Sequence, residues 1–279
     1  YENVPETVAD VKALKDKVKA EFTVWLYDST ETNDDGIEAR GIHSLVEAVQ
    51  HLGEVVVMAP DGPRSAQSSA ITMNTPLRIW KHFEKDGLTM YRCNGTPTDC
   101  VKLAVYNILD RKPDIILAGI NHGDNTSISV IYSGTMGAVF EGCVEGVPSI
   151  GFSLTTHDPR ADFSEAMKNA AIITEKVLKE VLPKDICLNV NFPVGTKLKG
   201  YKVVRQANAR WQERYVVRQD PNNNTYYWLT GELHNNEPDA VDTDESAVKN
   251  GYASIVPCHV DMTHYATVEK LKSWDYEAE

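Results

Sequence analysis

The sequence predicts an α/β layered fold built on a largely parallel sheet. Two observations lead to this prediction. Short, almost wholly apolar runs at Glu54–Ala59, Asp114–Ala118 and Val147–Ser153 are typical of strands that are covered on both faces. Between these runs lie stretches with apolar residues at helical spacing, and such β-α-β-α alternation favours parallel pairing through crossover helices.

The first half of the chain follows this alternation in order. Apolar residues at helical spacing predict a helix across residues 4–21 and another from Ile37 to Leu52, which Gly53 ends. β-Branched and aromatic residues predict the strands. The expected strands are Phe22–Tyr27, Glu54–Ala59, Thr72–Phe83 and Leu88–Cys93, followed by a helix at Cys100–Leu109 with Asp99 as its N-cap.

The second half continues the pattern as far as Phe192 and then changes in character. Up to that residue we expect strands at Asp114–Ala118, Val147–Ser153 and Ile186–Asn191 and helices at Met136–Gly142 and Phe163–Leu182. Beyond it we expect strands at Gly200–Gln206, Glu213–Val217, Tyr226–Gly231 and Tyr252–Pro257, an acidic loop at Asn235–Glu245 and a closing helix at Val268–Trp274. We therefore divide the chain into a lead-in at 1–31, an α/β core at 32–192 and a C-terminal region at 193–279.

Composition narrows the class of protein. The chain has 279 residues, of which 42% are apolar and 24% charged, as in ordinary globular proteins. No apolar run approaches the roughly 20 residues that cross a bilayer, and the first residues lack the apolar core of a signal peptide. A net charge of −12 argues against duplex nucleic acid as a partner. Five scattered cysteines without a CxxC pair predict free, mostly buried thiols and a cytoplasmic location.

An acidic pair, Asp34 and Asp35, follows Asn33 and precedes Gly36. The same residue types form solvated turns, which is the simpler interpretation. If the pair is half buried, however, the two like charges repel, and a divalent cation with oxygen ligands resolves that conflict. The pair therefore predicts either a turn or half of a metal site.

Further oxygen donors follow other predicted strands. Ser65 comes after the strand that ends at Ala59, and Asn121 comes after the one that ends at Ala118. Ligands collect at the carboxyl ends of parallel strands, so we expect these side chains to share one edge with Asp34 and Asp35. Carboxylate and neutral oxygens suit Mg²⁺ or Mn²⁺, whereas zinc would favour histidine or cysteine.

Nearby polar residues each have two interpretations. Ser133, Gly134 and Thr135 open a helix, where backbone N–H groups and two hydroxyls either bind an anion or simply cap a closely packed helix. His122 is either a general acid or a packing histidine, and Asn125 either contacts a phosphate or stabilises its loop. Neither a GxSxG elbow, a P-loop nor a dinucleotide fingerprint is present, which argues against serine hydrolases, P-loop NTPases and NAD enzymes.

Taken together, the motifs resemble one family in their identity and order. They are Thr32–Gly36, Ala59–Asp61, Ser65, Gly95–Cys100, Gly119–Asn121, Tyr132–Thr135 and Thr243–Asp244. The set resembles the SurE family, the survival protein E nucleotidases, from residue 32 to about residue 275. The resemblance implies a three-layer α/β/α sandwich with a Rossmann-like core. It also implies a C-terminal hairpin, from about Arg214 to Gly231, that exchanges between the subunits of a homodimer or homotetramer.

The same resemblance implies a chemistry and a set of site residues. The activity would be the divalent-metal-dependent release of phosphate from nucleoside 5′- and 3′-monophosphates, and some members also trim short polyphosphate. One Mg²⁺ or Mn²⁺ per subunit would bind Asp34, Asp35, Ser65 and Asn121, and the two aspartates would be the catalytic residues. The phosphate would lie among Asn33, Asn125, Ser133, Gly134 and Thr135.

The sequence departs from the family pattern at two places. Residues 28–31 separate the first predicted strand from the acidic turn, and Ala66 stands where the family usually has glycine.

Two rival functions stay open. One rival is a nucleotide-binding or assembly protein whose altered N-terminus has disabled the site. The other is a phosphatase of the haloacid dehalogenase type, which expects an Asp-x-Asp pattern, whereas Asp34 and Asp35 are adjacent.

Overall fold

A nine-stranded sheet forms the centre of the protein. The structure, a computed structural model, describes residues 21–24, 37, 39–180, 182–195, 197–274 and 276. The strands are β1 (Glu21–Val24), β2 (Glu54–Pro60), β3 (Ile79–Lys85), β4 (Leu88–Cys93), β5 (Ile116–His122), β6 (Ser149–Leu154), β7 (Ile186–Phe192), β8 (Tyr201–Val203), β9 (Ala209–Gln219), β10 (Thr225–Asn235) and β11 (Ala253–His259). Their order in the sheet is β3-β4-β2-β1-β5-β6-β7-β11-β8, and β9 and β10 form a separate hairpin.

Helices connect these strands. They are α1 (Arg40–Val49), α2 (Pro97–Leu103), α3 (Gly134–Val144), α4 (Ser164–Lys179), α5 (Asp244–Lys249) and α6 (Tyr265–Leu271). A π-helical turn, Ala104–Ile108, prolongs α2, and a 3₁₀ helix, Ser127–Ile131, precedes α3. Among the described residues, no helix is both long and apolar enough to cross a bilayer. The predicted helix across residues 4–21 lies outside the described residues.

The sheet is covered on both faces, as the predicted three-layer sandwich requires. On one face α1 packs beside α4, and their apolar side chains join those of the strands in one buried cluster that includes Ile42, Leu45 and Phe152. On the other face α2 packs beside α3 over a second cluster, which includes Val101 and Met136. The α/β class and the largely parallel sheet are therefore confirmed.

The parallel centre of the sheet runs from β4 through β7. β1 pairs in parallel with β2 on one side and with β5 on the other, through Thr23–Ile116 and Val24–Leu117. The predicted first strand, Phe22–Tyr27, is therefore found in the middle of the sheet, although the structure describes it only from Glu21 to Val24. From β1 the chain continues outwards through β2 and β4, whereas β5, β6 and β7 lie on the opposite side. This makes β1 the topological switch point, where ligands bind in open α/β sheets.

The cap of α2 differs from the prediction. Thr96, and not Asp99, is its N-cap: the Thr96 hydroxyl accepts from the Asp99 N–H at 3.1 Å. The Asp99 carboxylate in turn accepts from the Thr96 N–H at 2.9 Å, which completes a capping box. The same carboxylate accepts from the backbone N–H of Thr72 at 3.0 Å. Asp99 therefore joins the start of α2 to the long loop that follows β2.

The C-terminal region completes the sheet and adds the hairpin. β11 pairs antiparallel with β7, and β8 pairs in parallel with β11. The loop predicted for Asn235–Glu245 ends earlier than expected, because α5 begins at Asp244 with Thr243 as its N-cap.

The two hairpin strands pair over eleven residues each, further than the sequence predicts, and they expose Tyr215, Tyr227 and Trp228. All five cysteines are free and four of them are buried, as expected.

Candidate functional site

The carboxyl ends of β2, β5, β6 and β7 lie at one edge of the sheet because these strands run in the same direction. The loop that follows β2 carries Ser65, and Asn121 lies at the carboxyl end of β5. The loop that follows β5 leads into α3, so the helix begins at the same edge. The structure thus brings the loop of Ser65, the strand end of Asn121 and the predicted phosphate-binding turn to a single edge.

A local irregularity in β5 sets the position of Asn121. The register between β5 and β6 shifts between Ala118 and Asn121. Gly119 has a φ of 112°, and a Cβ there would lie 2.2 Å from the carbonyl oxygen of Phe152, so only glycine fits. The side-chain Nδ2 of Asn121 donates to the Gly123 carbonyl oxygen at 2.8 Å. This bond fixes the orientation of the amide and assigns Oδ1 as the end that can bind a cation.

Asn125 belongs to a buried network of amides across β6 and β7. Its backbone N–H donates to Asn191 Oδ1, its side chain donates to Ser153 Oγ, and its carbonyl oxygen accepts from Asn189, each at 2.8 Å. Asn191 also donates to Asn189 Oδ1 at 3.1 Å. Of the two interpretations of Asn125, the structure shows the contacts that stabilise the loop. Its contact with a phosphate stays a prediction.

The N-terminus of α3 opens toward the same edge. Ser133 is the N-cap, and its Oγ accepts from the Met136 N–H at 3.1 Å. The N–H groups of Gly134 and Thr135 occupy the first two helical positions, which have no acceptor within a helix. Thr135 is fully buried, and its hydroxyl has no hydrogen-bond partner among the described residues. A buried donor of this kind beside two backbone N–H groups suits the oxygens of a phosphate.

The loop that carries Ser65 is anchored on the residues that precede α3. The Ser68 N–H donates to the Tyr132 carbonyl oxygen at 3.1 Å, and the Ser68 hydroxyl donates to the Ile131 carbonyl oxygen at 2.6 Å. A Cβ at Gly137 would lie 2.0 Å from the carbonyl oxygen of Ser68, so this close approach requires glycine. The two loops therefore form one unit, in which Ser65 cannot move far from the start of α3.

Ala66 adopts a backbone conformation that favours glycine. Its φ is 55°, in the left-handed region. An alanine there costs roughly 1–2 kcal/mol because its Cβ approaches the following carbonyl oxygen. The glycine that the family pattern implies at this position therefore has a physical reason, and this chain tolerates the methyl group beside Ser65 at that cost.

His122 and Arg64, which lie near the same edge, have structural contacts. His122 is buried and lies edge-on to the Phe163 ring at 5.7 Å between centroids. Burial lowers the pKa of His122 below its ordinary value, and a hydrogen bond with the Asp158 backbone opposes this shift. Arg64 donates to Asp61 Oδ1 and to the Asn94 carbonyl oxygen, both at 3.1 Å, which joins the ends of β2 and β4.

The carboxylates of the predicted metal site, Asp34 and Asp35, lie outside the described residues together with Asn33. Within the described part of the chain, no three histidine, cysteine, aspartate or glutamate side chains cluster in a way that could hold a metal. The residues described at this edge do fit a divalent cation, because Asn121 and Ser65 contribute neutral oxygens. Hard cations require such oxygen donors together with anionic ones. The charge would come from Asp34 and Asp35.

One important residue at this edge, Asp244, has contacts that the sequence alone does not reveal. Asp244 is fully buried and accepts from three backbone N–H groups: Ser127 at 2.8 Å and Ala207 and Glu245 at 2.9 Å. Burial raises the pKa of its carboxyl, and the three donors oppose that shift. Asp244 therefore ties the 3₁₀ helix before α3 to the C-terminal region. Its only signal in the sequence is its place in the Thr243–Asp244 motif.

Comparisons with known proteins indicate the family to which the chain belongs. The family model described as "Survival protein SurE" matches residues 31–213. The curated protein named 5′-nucleotidase SurE from Phocaeicola vulgatus is 48% identical over 246 residues, which are 88% of this chain and 96% of that protein. The protein of the same name from Flavobacterium psychrophilum is 50% identical over 247 residues, with the same two coverages.

A solved structure shows the same fold. The crystal structure of the SurE protein from Aquifex aeolicus superposes with a TM-score of 0.75 at 37% sequence identity. The match covers 90% of this chain and 98% of that chain. On the family model, the relatives and the fold together, the chain belongs to the SurE family.

Proposed function

We propose that this chain is a 5′-nucleotidase, an enzyme that hydrolyses nucleoside 5′-monophosphates to nucleosides and phosphate with the help of one divalent cation per subunit. The enzyme class rests on the curated relatives, which are named 5′-nucleotidase SurE and are 48–50% identical over 88% of this chain. Activity on nucleoside 3′-monophosphates and on short polyphosphate extends the same proposal, because both present the same terminal phosphate to the site.

The observation that carries the proposal is the position of β1. It lies between β2 and β5, so its carboxyl end lies between the strand that leads to Ser65 and the strand that ends with Asn121 and His122. Asp34 and Asp35 follow β1 in the sequence, ten and eleven positions after Val24. Four oxygen donors from three neighbouring strands would thereby share the switch point of the sheet, which is where this class of fold binds its ligands.

Asp34, Asp35, Ser65 and Asn121 would hold Mg²⁺ or Mn²⁺. Such a cation neutralises charge on the phosphate and lowers the pKa of water so that a nucleophile forms at neutral pH. The bond from Asn121 Nδ2 to the Gly123 carbonyl fixes the orientation of the amide, and its Oδ1 would be the atom that binds the cation. If the adjacent carboxylates are half buried, they repel each other, and the cation would offset that repulsion.

The phosphate would lie at the N-terminus of α3. The N–H groups of Gly134 and Thr135 and the buried Thr135 hydroxyl would donate to its oxygens, where the helix dipole also favours negative charge. Ser133 uses its oxygen to accept from Met136, which leaves its hydroxyl hydrogen to donate to the phosphate. Asn33 and Asn125 would complete this phosphate-binding site. Donors fixed in this way stabilise charge that develops in the transition state.

The proposal includes self-association through the β9–β10 hairpin in a homodimer or homotetramer. The hairpin is a separate two-stranded sheet, and its exposed aromatic and apolar side chains include Trp228 and Leu229 at 60% and 56% exposure. Apolar surface of this kind marks sites of protein contact. We also propose that the protein acts in the cytoplasm, where its free thiols stay reduced.

The function is tested by incubating the full chain with AMP and Mn²⁺ and measuring the phosphate released. We expect release that EDTA abolishes and that an excess of Mn²⁺ restores, since the carboxylates act only with a cation. Parallel reactions with 3′-AMP and triphosphate test the wider substrate range. A protein that binds AMP but releases no phosphate under any metal would instead be the nucleotide-binding rival.

A further inference from the structure

The loop between β6 and α4 brings a second imidazole, that of His157, to the candidate site. A Cβ at Gly123 would lie 2.7 Å from Cε1 of His157 and 3.6 Å from Nδ2 of Asn121. The His157 ring therefore lies across the backbone at Gly123, in the space that a side chain there would fill. Gly123 is also the residue whose carbonyl oxygen orients Asn121. The imidazole is thus placed beside the predicted cation ligand.

Hydrogen bonds hold the backbone on both sides of His157. The Gly123 N–H donates to the Leu154 carbonyl oxygen at 3.0 Å, which ties the loop after β5 to the last residue of β6. Thr155 donates to the Phe192 carbonyl oxygen at 3.0 Å, and the Asp158 N–H donates to the Thr156 hydroxyl at 3.1 Å. Arg40 donates to the Pro159 carbonyl oxygen at 3.1 Å. Bonds on both sides of His157 hold its position.

The two histidines near Asn121 differ in access to a substrate. His122 is only 8% exposed and packs edge-on against Phe163. His157 is exposed at the surface of the same edge. A general acid must reach the atom that it protonates, directly or through one water. Access therefore favours His157 over His122, the histidine that the sequence suggested.

We propose that His157 donates the proton that the leaving ribose oxygen takes up when the phosphate ester breaks. The inference rests on the proposed nucleotidase function and adds the residue that protonates the leaving group. Water attacks phosphorus and loses one proton to the solvent as the new P–O bond forms. The bond between phosphorus and O5′ breaks with its electron pair on O5′, which takes a proton from the His157 imidazolium. The solvent then returns a proton to the imidazole.

Two substrates that differ only in the leaving atom test this proposal. The first is AMP, and the second is its analogue with sulfur in place of the bridging O5′. A thiolate leaves without being protonated, whereas a ribose oxygen needs a proton from a general acid in order to leave. General acid catalysis contributes at least about 100-fold. We therefore expect His157→Asn to lower kcat for AMP by about 100-fold or more and to change kcat for the sulfur analogue by less than about threefold.

Two variants serve as controls. β11 runs antiparallel to β7, so His259 at the end of β11 lies at the opposite edge of the sheet, where it is exposed. His259→Asn should therefore leave kcat for both substrates unchanged. His122→Asn should not discriminate between the substrates. An equal loss on both substrates in His157→Asn, no loss on AMP, or a loss selective for AMP in His122→Asn would each overturn the assignment. A wild-type protein that releases phosphate from neither substrate would instead refute the nucleotidase function itself.

Discussion

Replacing Asp34 by asparagine is expected to lower kcat/KM for AMP by at least about 100-fold. The asparagine keeps the size of the side chain but removes one of the two negative charges that would hold the cation. Charge stabilisation by a cation is worth several kcal/mol, and each 1.36 kcal/mol is about tenfold in rate. The measurement is phosphate release from AMP at several Mn²⁺ concentrations.

The same variant should unfold at nearly the same temperature as the wild type when no metal is added. The substitution removes one of two adjacent like charges and with it their mutual repulsion, and the cation that the carboxylate would hold is absent. Asp110→Asn is a matched control, because Asp110 is exposed near the start of β5, at the opposite edge of the sheet. A large loss of stability in Asp34→Asn would show that Asp34 is structural, and unchanged activity would remove it from the metal site.

Replacing Asp244 by alanine is expected to lower the free energy of unfolding by at least about 3 kcal/mol. Its carboxylate is the acceptor for the N–H groups of Ser127, Ala207 and Glu245. A buried donor that loses its partner costs about 1–3 kcal/mol, and three donors are left here. Urea denaturation of the two proteins measures the difference.

Phosphate release from AMP should also fall in Asp244→Ala, because Asp244 holds the 3₁₀ helix that leads to α3 and the predicted phosphate-binding site. Asp239→Ala is the control: Asp239 is an exposed aspartate five residues earlier, and its loss should change stability by less than about 0.5 kcal/mol. If both variants were equally stable, the three hydrogen bonds to Asp244 would not carry the role assigned to them.

Much of the fold follows from local patterns that the sequence displays. β2 was predictable because its apolar residues, from Val55 to Ala59, are continuous, as is typical of a strand that is covered on both faces. The hairpin strands are longer than predicted because β9 and β10 are exposed along most of their length, so burial imposes no pattern on their sequences. The cap of α2 was misplaced because Thr96 and Asp99 are both good capping residues, and only the geometry shows which one precedes the helix.

The site was predictable to the extent that its residues follow buried strands. Ser65, Asn121 and Ser133 lie at one edge, as the parallel arrangement predicts. The partners that hold them depend on contacts distant in the sequence, such as Asp244 with Ser127, which are 117 positions apart. The asparagines of β7, Asn189 and Asn191, stand in an otherwise apolar strand, and this break in composition was a signal that they serve the loop after β5.

The proposed function depends on one divalent cation that would bind where the loops after β1 and β2 lie beside the carboxyl end of β5. Crystals of the full chain grown with Mn²⁺ and measured near the manganese absorption edge test it most directly. We predict one anomalous peak per subunit, with oxygens of Asp34, Asp35, Ser65 and Asn121 within about 2.5 Å of it or joined to it through water. A protein that hydrolyses AMP with Mn²⁺ while its anomalous peak lies away from these residues would contradict the account.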